Sequence, residues 1–317
     1  MNELVVIAIG GNSIITSNEQ QSIQHQEKAI KAIVSNIADM LEGGYNIVLT
    51  HGNGPQVGLD LRRAEVASQY EDIPIVPLAN CVANTQGGIG YQLQQGLVNE
   101  LTQRGIDKQV ITLITRVEVA GDDINFSNPT KPIGAFFSEQ QRDLLMQEHP
   151  DWKFVEDSGR GYRRVVASPV PVKVLETDAI TSLLERGFVV IALGGGGIPV
   201  VQDGDHLYRG VDAVIDKDLA TTLLAKELDA DILAITTGVE KVCINFGKPN
   251  QQALGQITSE ETRRYMSEGH FPAGSMLPKI EASLNFLASG GSRVIITTPE
   301  KLPQAIKRET GTHIVTV

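Results

Sequence analysis

Three stretches of one kind constrain this chain more than anything else in it. "LVVIAIGGNS", "NIVLTHGNGPQVG" and "FVVIALGGGGIPV" each carry a short apolar run straight into glycines, and a periodic helical pattern follows. That is the βα alternation of a parallel sheet. "KQVITLIT", "ADILAITT" and "SRVIITT" add strands of near-continuous apolar character, as strands covered on both faces require. Between them, "KAIKAIVSNIADMLEGG" sets Ile30, Ile33, Ile37, Met40 and Leu41 on one stripe and stops at Gly43 and Gly44. "GSMLPKIEASLNFLASGG" predicts a second helix, with Ser275 as its cap, Pro278 in its first turn, and Ile280, Leu284 and Leu287 on one face.

A chain of 317 residues with 41% hydrophobic and 21% charged residues can bury a sizeable core. No run of 18 apolar residues occurs, and the N-terminal run Leu4 to Ile9 follows an acid, so it reads as neither a signal peptide nor a membrane span. A cytoplasmic protein is the expectation. The net charge of -11 argues against binding nucleic acid or an anionic membrane, so any phosphate chemistry must use locally placed cations. Cys81 and Cys243 lie far apart without a CxxC, which predicts two buried, reduced thiols and neither a disulfide nor a zinc site. The six histidines show no HExxH spacing, and no GxSxG occurs, so neither a metalloenzyme nor nucleophilic catalysis is supported.

The segment from about 119 to 166 differs from the rest. It is polar, rich in turn residues and carries the only tryptophan, Trp152, which predicts an inserted lid. No linker separates the remaining halves, so one continuous sheet is expected to run through both.

Glycine at the carboxyl end of a buried strand lets backbone approach a ligand, and the next helix offers unpaired N–H groups to an anion. Any one such loop reads first as a turn. Four glycines in a row, Gly194 to Gly197, are costly to order and favour a functional loop. "GHFPAGSM" has Walker spacing but Ser-Met where Lys-Ser/Thr is needed, and no GxGxxG follows a strand. Cations must then come from elsewhere. Lys131, Lys217 and Lys279 each sit at a turn or helix start, where the helix dipole favours negative charge. Lys131 and Lys279 taken singly read as solvated surface cations. Lys217 lies in "AVIDKDLA", otherwise apolar on both sides, which suggests partial burial and hence a partner. Asp218 is placed to orient lysines, Asp216 reads as a helix cap, and His51 in "THGNGPQ" reads as structural.

"VIAIGGNS", "LTHGNGPQVG", "CVANTQGGIGY", "NPTKPIG", "EDSGRGYRRVVASP", "GGGGIPV", "GVDAVIDKDLA", "TTGVEKVCINFGKP" and "GSMLPKIEAS" closely resemble the carbamate kinases, from about Val5 to the last strand. The resemblance implies the amino acid kinase fold: an α/β, three-layer αβα sandwich on an open, mainly parallel sheet. It would form a single domain, 1–317, with a carbamate and phosphoryl lobe of about 1–195, a protruding lid of about 119–166, and a nucleotide lobe of about 196–317. It implies phosphoryl exchange between ATP and carbamate, run toward ATP, with Mg2+, in a homodimer, and arginine metabolism is one setting for it. Carried over by motif, Gly10, Gly11, Asn12, Gly52, Asn53 and Gly54 would hold the carbamate and the transferred phosphoryl. Gly195, Gly196, Thr237, Gly238, Met276 and Lys279 would hold nucleotide. Lys131, Lys217, Asp218 and Lys279 would be catalytic. The chain departs from the family pattern at Ser13, Ala79 and Asn84, where alanine, an acid and methionine are common. Another acyl phosphate kinase of the same fold, or a nucleotide sensor without catalysis, remain alternatives.

Overall fold

Alternate residues of the first strand, Leu4–Ile9, enter two different cores. Val5, Ile7 and Ile9 face the helices Ile23–Glu42 and Leu78–Arg104, whereas Val6 and Ala8 face Lys217–Glu227 and Leu277–Ala288. A strand buried on both faces must be apolar throughout, which is why these runs do not alternate with polar residues. The computed structural model describes residues 2–10, 23–157, 159–204, 207–272 and 275–316.

The central sheet has eight strands in the order Gln256–Thr258, Thr312–Val315, Arg293–Thr297, Ile232–Thr236, Leu4–Ile9, Asn46–His51, Val189–Ile191, Val110–Thr112. All neighbours run parallel except where Arg293–Thr297 meets Thr312–Val315. Strands from both halves of the sequence share one sheet, and nine α-helices are found among the described residues, so the α/β sandwich expected from the sequence is the observed fold. Beside it lies a four-stranded sheet, Tyr208–Gly210, Ile198–Gln202, Arg116–Val119 and Pro171–Val174.

The polar segment builds its own three-stranded antiparallel sheet from Lys131–Phe137, Lys153–Glu156 and Tyr162–Val166, with the helix Glu139–Glu148. Its small core uses arginines as packing groups. Arg164 stacks 3.7 Å over Trp152, Arg142 lies 4.1 Å over Tyr162, and Arg160 and Arg163 lie 4.6 and 5.2 Å from Phe136. The "GRGYRRVV" block is therefore what a mini-sheet with few aliphatic residues needs to hold itself together.

Two local expectations differ from the fold. Ser275 does not cap the helix Leu277–Ala288; Met276 occupies that position without a side-chain hydrogen bond, and Pro278 sits in the first turn as expected, its missing N–H being one that the helix leaves unpaired. Cys81 is buried, but Cys243 is only partly so, because it lies on the short hairpin Cys243–Ile244 and Gln252–Ala253 outside the central sheet; both thiols are free.

Candidate active site

The parallel strands end along one edge, and the glycine loops follow there, as ligand sites of open α/β sheets do. Gly10 closes the first strand, its N–H donating to Thr236 Oγ1 at 3.0 Å, and the Gly52 N–H donates to the Ile9 carbonyl at 3.0 Å. Gly11 and Asn12, like Ser13, lie outside the described residues.

His51 is fully buried behind this loop, and burial pushes its pKa down to about 4, with Lys217 adding to the shift and the Gly52 hydrogen bond opposing it. The ring is neutral at pH 7. Its Nδ1 lies 3.0 Å from the Gly52 carbonyl, which can only accept, so the proton sits on Nδ1. Asn53 is buried and donates to Thr85 Oγ1 at 3.2 Å.

The four-glycine loop is buried against these same groups. A Cβ on Gly194 would stand 2.6 Å from the His51 ring, one on Gly195 2.1 Å from Asn53 Nδ2, and one on Gly196 2.5 Å from the Ile215 carbonyl. Glycine is required here by the close approach of the protein's own chain. Gln86 fixes the loop further, donating to the carbonyls of Thr115 and Gly194 at 3.0 and 3.1 Å and accepting from Thr115 N–H.

Ile215 leads into the helix Lys217–Glu227, whose N-cap Asp216 accepts from the N–H groups of Asp218 and Leu219 at 2.9 and 3.4 Å. The cap reading holds. The other Asp216 oxygen does something the sequence did not reveal: it accepts from Lys131 Nζ at 2.7 Å, across 85 residues, tying the lid to the helix start. Burial pushes the Asp216 carboxyl up, with Asp218 adding to it, yet the charge and hydrogen bond of Lys131 together with Lys217 bring the pKa below its ordinary value.

Asp218, 4% exposed, joins two further lysines. It accepts from Lys217 Nζ at 2.6 Å on one oxygen and from Lys279 Nζ at 2.9 Å on the other. Desolvation acts against its charge, but the two ammonium groups hold the carboxyl well below its ordinary value. Lys217 is pushed down, first by burial and opposed by Asp218. Lysines distant in sequence thus meet one pair of aspartates, which supply the countercharge that the helix starts lack.

Threonine and serine hydroxyls brace this cluster. Thr221 and Thr222 donate to the carbonyls of Lys217 and Asp218 at 2.7 and 2.8 Å, and Ser283 donates to that of Lys279 at 2.6 Å. Thr50 and Thr221 hydroxyls meet at 2.7 Å, joining the helix to the second strand. The signal was present in "KDLATT" as hydroxyls four residues after each charged group.

The remaining predicted residues lie around the same edge. Thr237 donates its N–H to the Thr297 carbonyl at 2.8 Å, Gly238 is exposed, and Met276 caps the helix of Lys279. Gly54 is half-buried with open space where a Cβ would be. Ala79 is buried in the first turn of Leu78–Arg104, and Asn84 is exposed on the same helix.

A buried, lysine-rich site at the carboxyl edge of a parallel sheet, without a Walker loop, defines a class of phosphate-handling α/β proteins. The model of the amino acid kinase family matches residues 3–298, and the chain belongs to that family. It is 64% identical over 315 residues to the carbamate kinase-like protein YahI of Escherichia coli, covering 99% of each chain. It is 48% identical to a carbamate kinase of Staphylococcus haemolyticus, covering 98% of each. The solved structure of a Giardia lamblia carbamate kinase bound to AMP-PNP superposes with a TM-score of 0.90 at 39% identity, over 100% of this chain and 99% of that one.

Proposed function

We propose that this chain is a carbamate kinase, exchanging a phosphoryl group between ATP and carbamate to give ADP and carbamoyl phosphate, and working mainly toward ATP. The observation that carries this reading is Asp218 holding Lys217 and Lys279 at 2.6 and 2.9 Å, in a chain similar over its full length to carbamate kinases. Carbamate already offers a nucleophilic oxygen, so the site needs no general base. Its work is to align two anions and spread the charge that grows on the phosphoryl oxygens.

In this reading Lys217 stabilises the migrating phosphoryl, Lys279 contacts the nucleotide phosphates, and Asp218 orients both. Lys131 reaches the phosphoryl from the lid. Gly10, Gly11, Asn12, Gly52, Asn53 and Gly54 hold the carbamate side, and Gly195, Gly196, Thr237, Gly238 and Met276 hold nucleotide.

An ATP-using kinase works with a divalent metal, and Mg2+ is the ion proposed here. Among the described residues no group of three or more His, Cys, Asp or Glu gathers to form a cage, and Asp216 and Asp218 are both engaged by lysines. That donor set fits an ion carried by the nucleotide phosphates. Bound there, Mg2+ supplies charge neutralisation between the phosphates. The protein is further proposed to act as a homodimer in the cytoplasm; no described helix is long and apolar enough to cross a membrane.

One assay tests the reading: ADP, Mg2+ and carbamoyl phosphate with ATP followed by luciferase. ATP should form, and EDTA should stop it. ATP from an amino-acid acyl phosphate alone would assign a sibling kinase, an outcome kept in view by Ala79 and Asn84. Nucleotide binding without turnover would assign a sensor.

A further inference from the structure

The opposite edge of the central sheet, where the parallel strands begin, holds a second group of cations. A pocket of about 320 Å³ is lined by Glu3, Tyr45, Ser292, Arg293, Lys307 and Arg308, with Ile306 as its apolar member. Glu3, Tyr45 and Ser292 each sit immediately before, or one residue before, the strands Leu4–Ile9, Asn46–His51 and Arg293–Thr297, so the pocket lies a full strand length from Lys217.

Arg293 is the unusual member. It is 6% exposed, and among the described residues it has no carboxylate within ion-pair distance. Its guanidinium donates to the Ile306 carbonyl at 3.3 Å, which uses one of five N–H groups. Buried charges are ordinarily paired, because desolvation is otherwise uncompensated. Burial, then Arg308, push the Arg293 pKa down, with Glu3 and Tyr45 opposing; Arg308 is thus felt as a like charge.

Arg308 is unusual in its backbone. It follows the helix Leu302–Ile306 and its cap Lys307 with φ of 66°, the left-handed position where glycine is favoured. A side chain there costs about 1 kcal/mol in backbone strain. The chain therefore keeps a cation at a position whose geometry selects against any side chain, and sets it beside a buried arginine.

We propose that this pocket binds a phosphate dianion, as the free ion or as a small phosphomonoester. Three cations offset by Glu3 leave two positive charges, which match a dianion in a molecule whose net charge is -11. Two guanidinium forks suit the bidentate geometry of phosphate oxygens, and the Tyr45 hydroxyl supplies a further donor, whereas the Ser292 hydroxyl is already given to the Asp231 carbonyl at 2.5 Å. The site is separate from the catalytic lysines and does not depend on the activity assigned to them.

The test is a site-resolved titration. Inorganic phosphate is added to the full chain while the amide resonances of Tyr45, Ser292 and Lys307 are followed by TROSY NMR. Saturable shifts should appear in the wild type and in Lys217→Ala alike. They should weaken at least about tenfold in Lys307→Gln/Arg308→Gln, two exposed positions outside the catalytic cluster whose change should leave basal turnover intact. Methyl phosphate in a parallel titration separates the sources: tighter binding of the ester assigns an organic phosphate, and tighter binding of inorganic phosphate assigns the free ion. Unsaturable shifts with both ligands, or equal affinity in the double variant, would overturn the proposal.

Discussion

Asp218 holds two ammonium groups that would otherwise repel each other in a buried site, and that arrangement sets what single substitutions should do. Lys217→Ala should lower ATP formation from carbamoyl phosphate by about 10²- to 10³-fold, the scale of losing one preorganised charge donor, with the thermal transition little changed. Near wild-type turnover in the purified variant would remove Lys217 from the mechanism. Asp218→Asn should lower turnover and also cost about 3 kcal/mol in urea unfolding at pH 7, since it leaves two buried cations with one neutral partner. The pH dependence follows from the direction of the shift. A carboxyl whose folded pKa is depressed contributes stability above its unfolded pKa, and that contribution is lost as pH falls toward the folded value. The stability gap between wild type and Asp218→Asn should therefore be flat from neutral pH down to about 5 and shrink below that. A gap that widened in acid would contradict the assigned pairing. At this scale the sequence marked Lys131, Lys217, Asp218 and Lys279 as chemical candidates, and Asp216 as a cap. It did not show that Asp216 also receives Lys131, because a contact across 85 residues leaves no mark in local pattern.

The lid meets the body at two glycines, Gly58 in the helix Gln56–Tyr70 and Gly134 in the strand Lys131–Phe137. A Cβ on Gly58 would stand 2.1 Å from the Gly134 nitrogen, so the two elements touch backbone to backbone. Glu65 on the same helix accepts from Arg164 Nη1 at 2.6 Å and holds the middle strand of that sheet, Tyr162–Val166. Gly58→Ala makes a test in which the sign is informative. Helix propensity alone would make it stabilising by about 1 kcal/mol, whereas the close approach predicts destabilisation together with a turnover loss of up to about 10²-fold, because Lys131 opens the displaced strand. Thermal melting and steady-state rates measure both; a stabilised, fully active variant would show that the lid is not docked this way. The polar composition of 119–166 marked this segment in the sequence as different from the body, and Lys131–Phe137, Lys153–Glu156 and Tyr162–Val166 within it form a sheet of their own. Its docking was hidden, since a glycine within a helix pattern reads only as a weak helix position.

At the scale of the molecule, the strands Leu4–Ile9 and Ile232–Thr236 pair directly, so residues from the two halves share one sheet and two common cores. Calorimetry should accordingly give one cooperative transition for the body, with lid amides the first to exchange in hydrogen-exchange experiments. Two well-separated transitions would instead divide the chain into independent lobes. The apolar runs, their entry into glycine and the helical periodicities determined the fold class, because burial on both faces and close backbone approach restrict residue type locally. They also determined which lysines lacked an obvious structural reason. Tertiary structure alone decided why the glycines of Gly194 to Gly197 are needed, since their neighbours His51, Asn53, Ile215 and Val117 come from other parts of the chain. It alone decided how the charges are shared, two lysines on Asp218 and one on Asp216. Pairing of charges depends on distance, and distance between remote residues is fixed only when the sheet has ordered its strands.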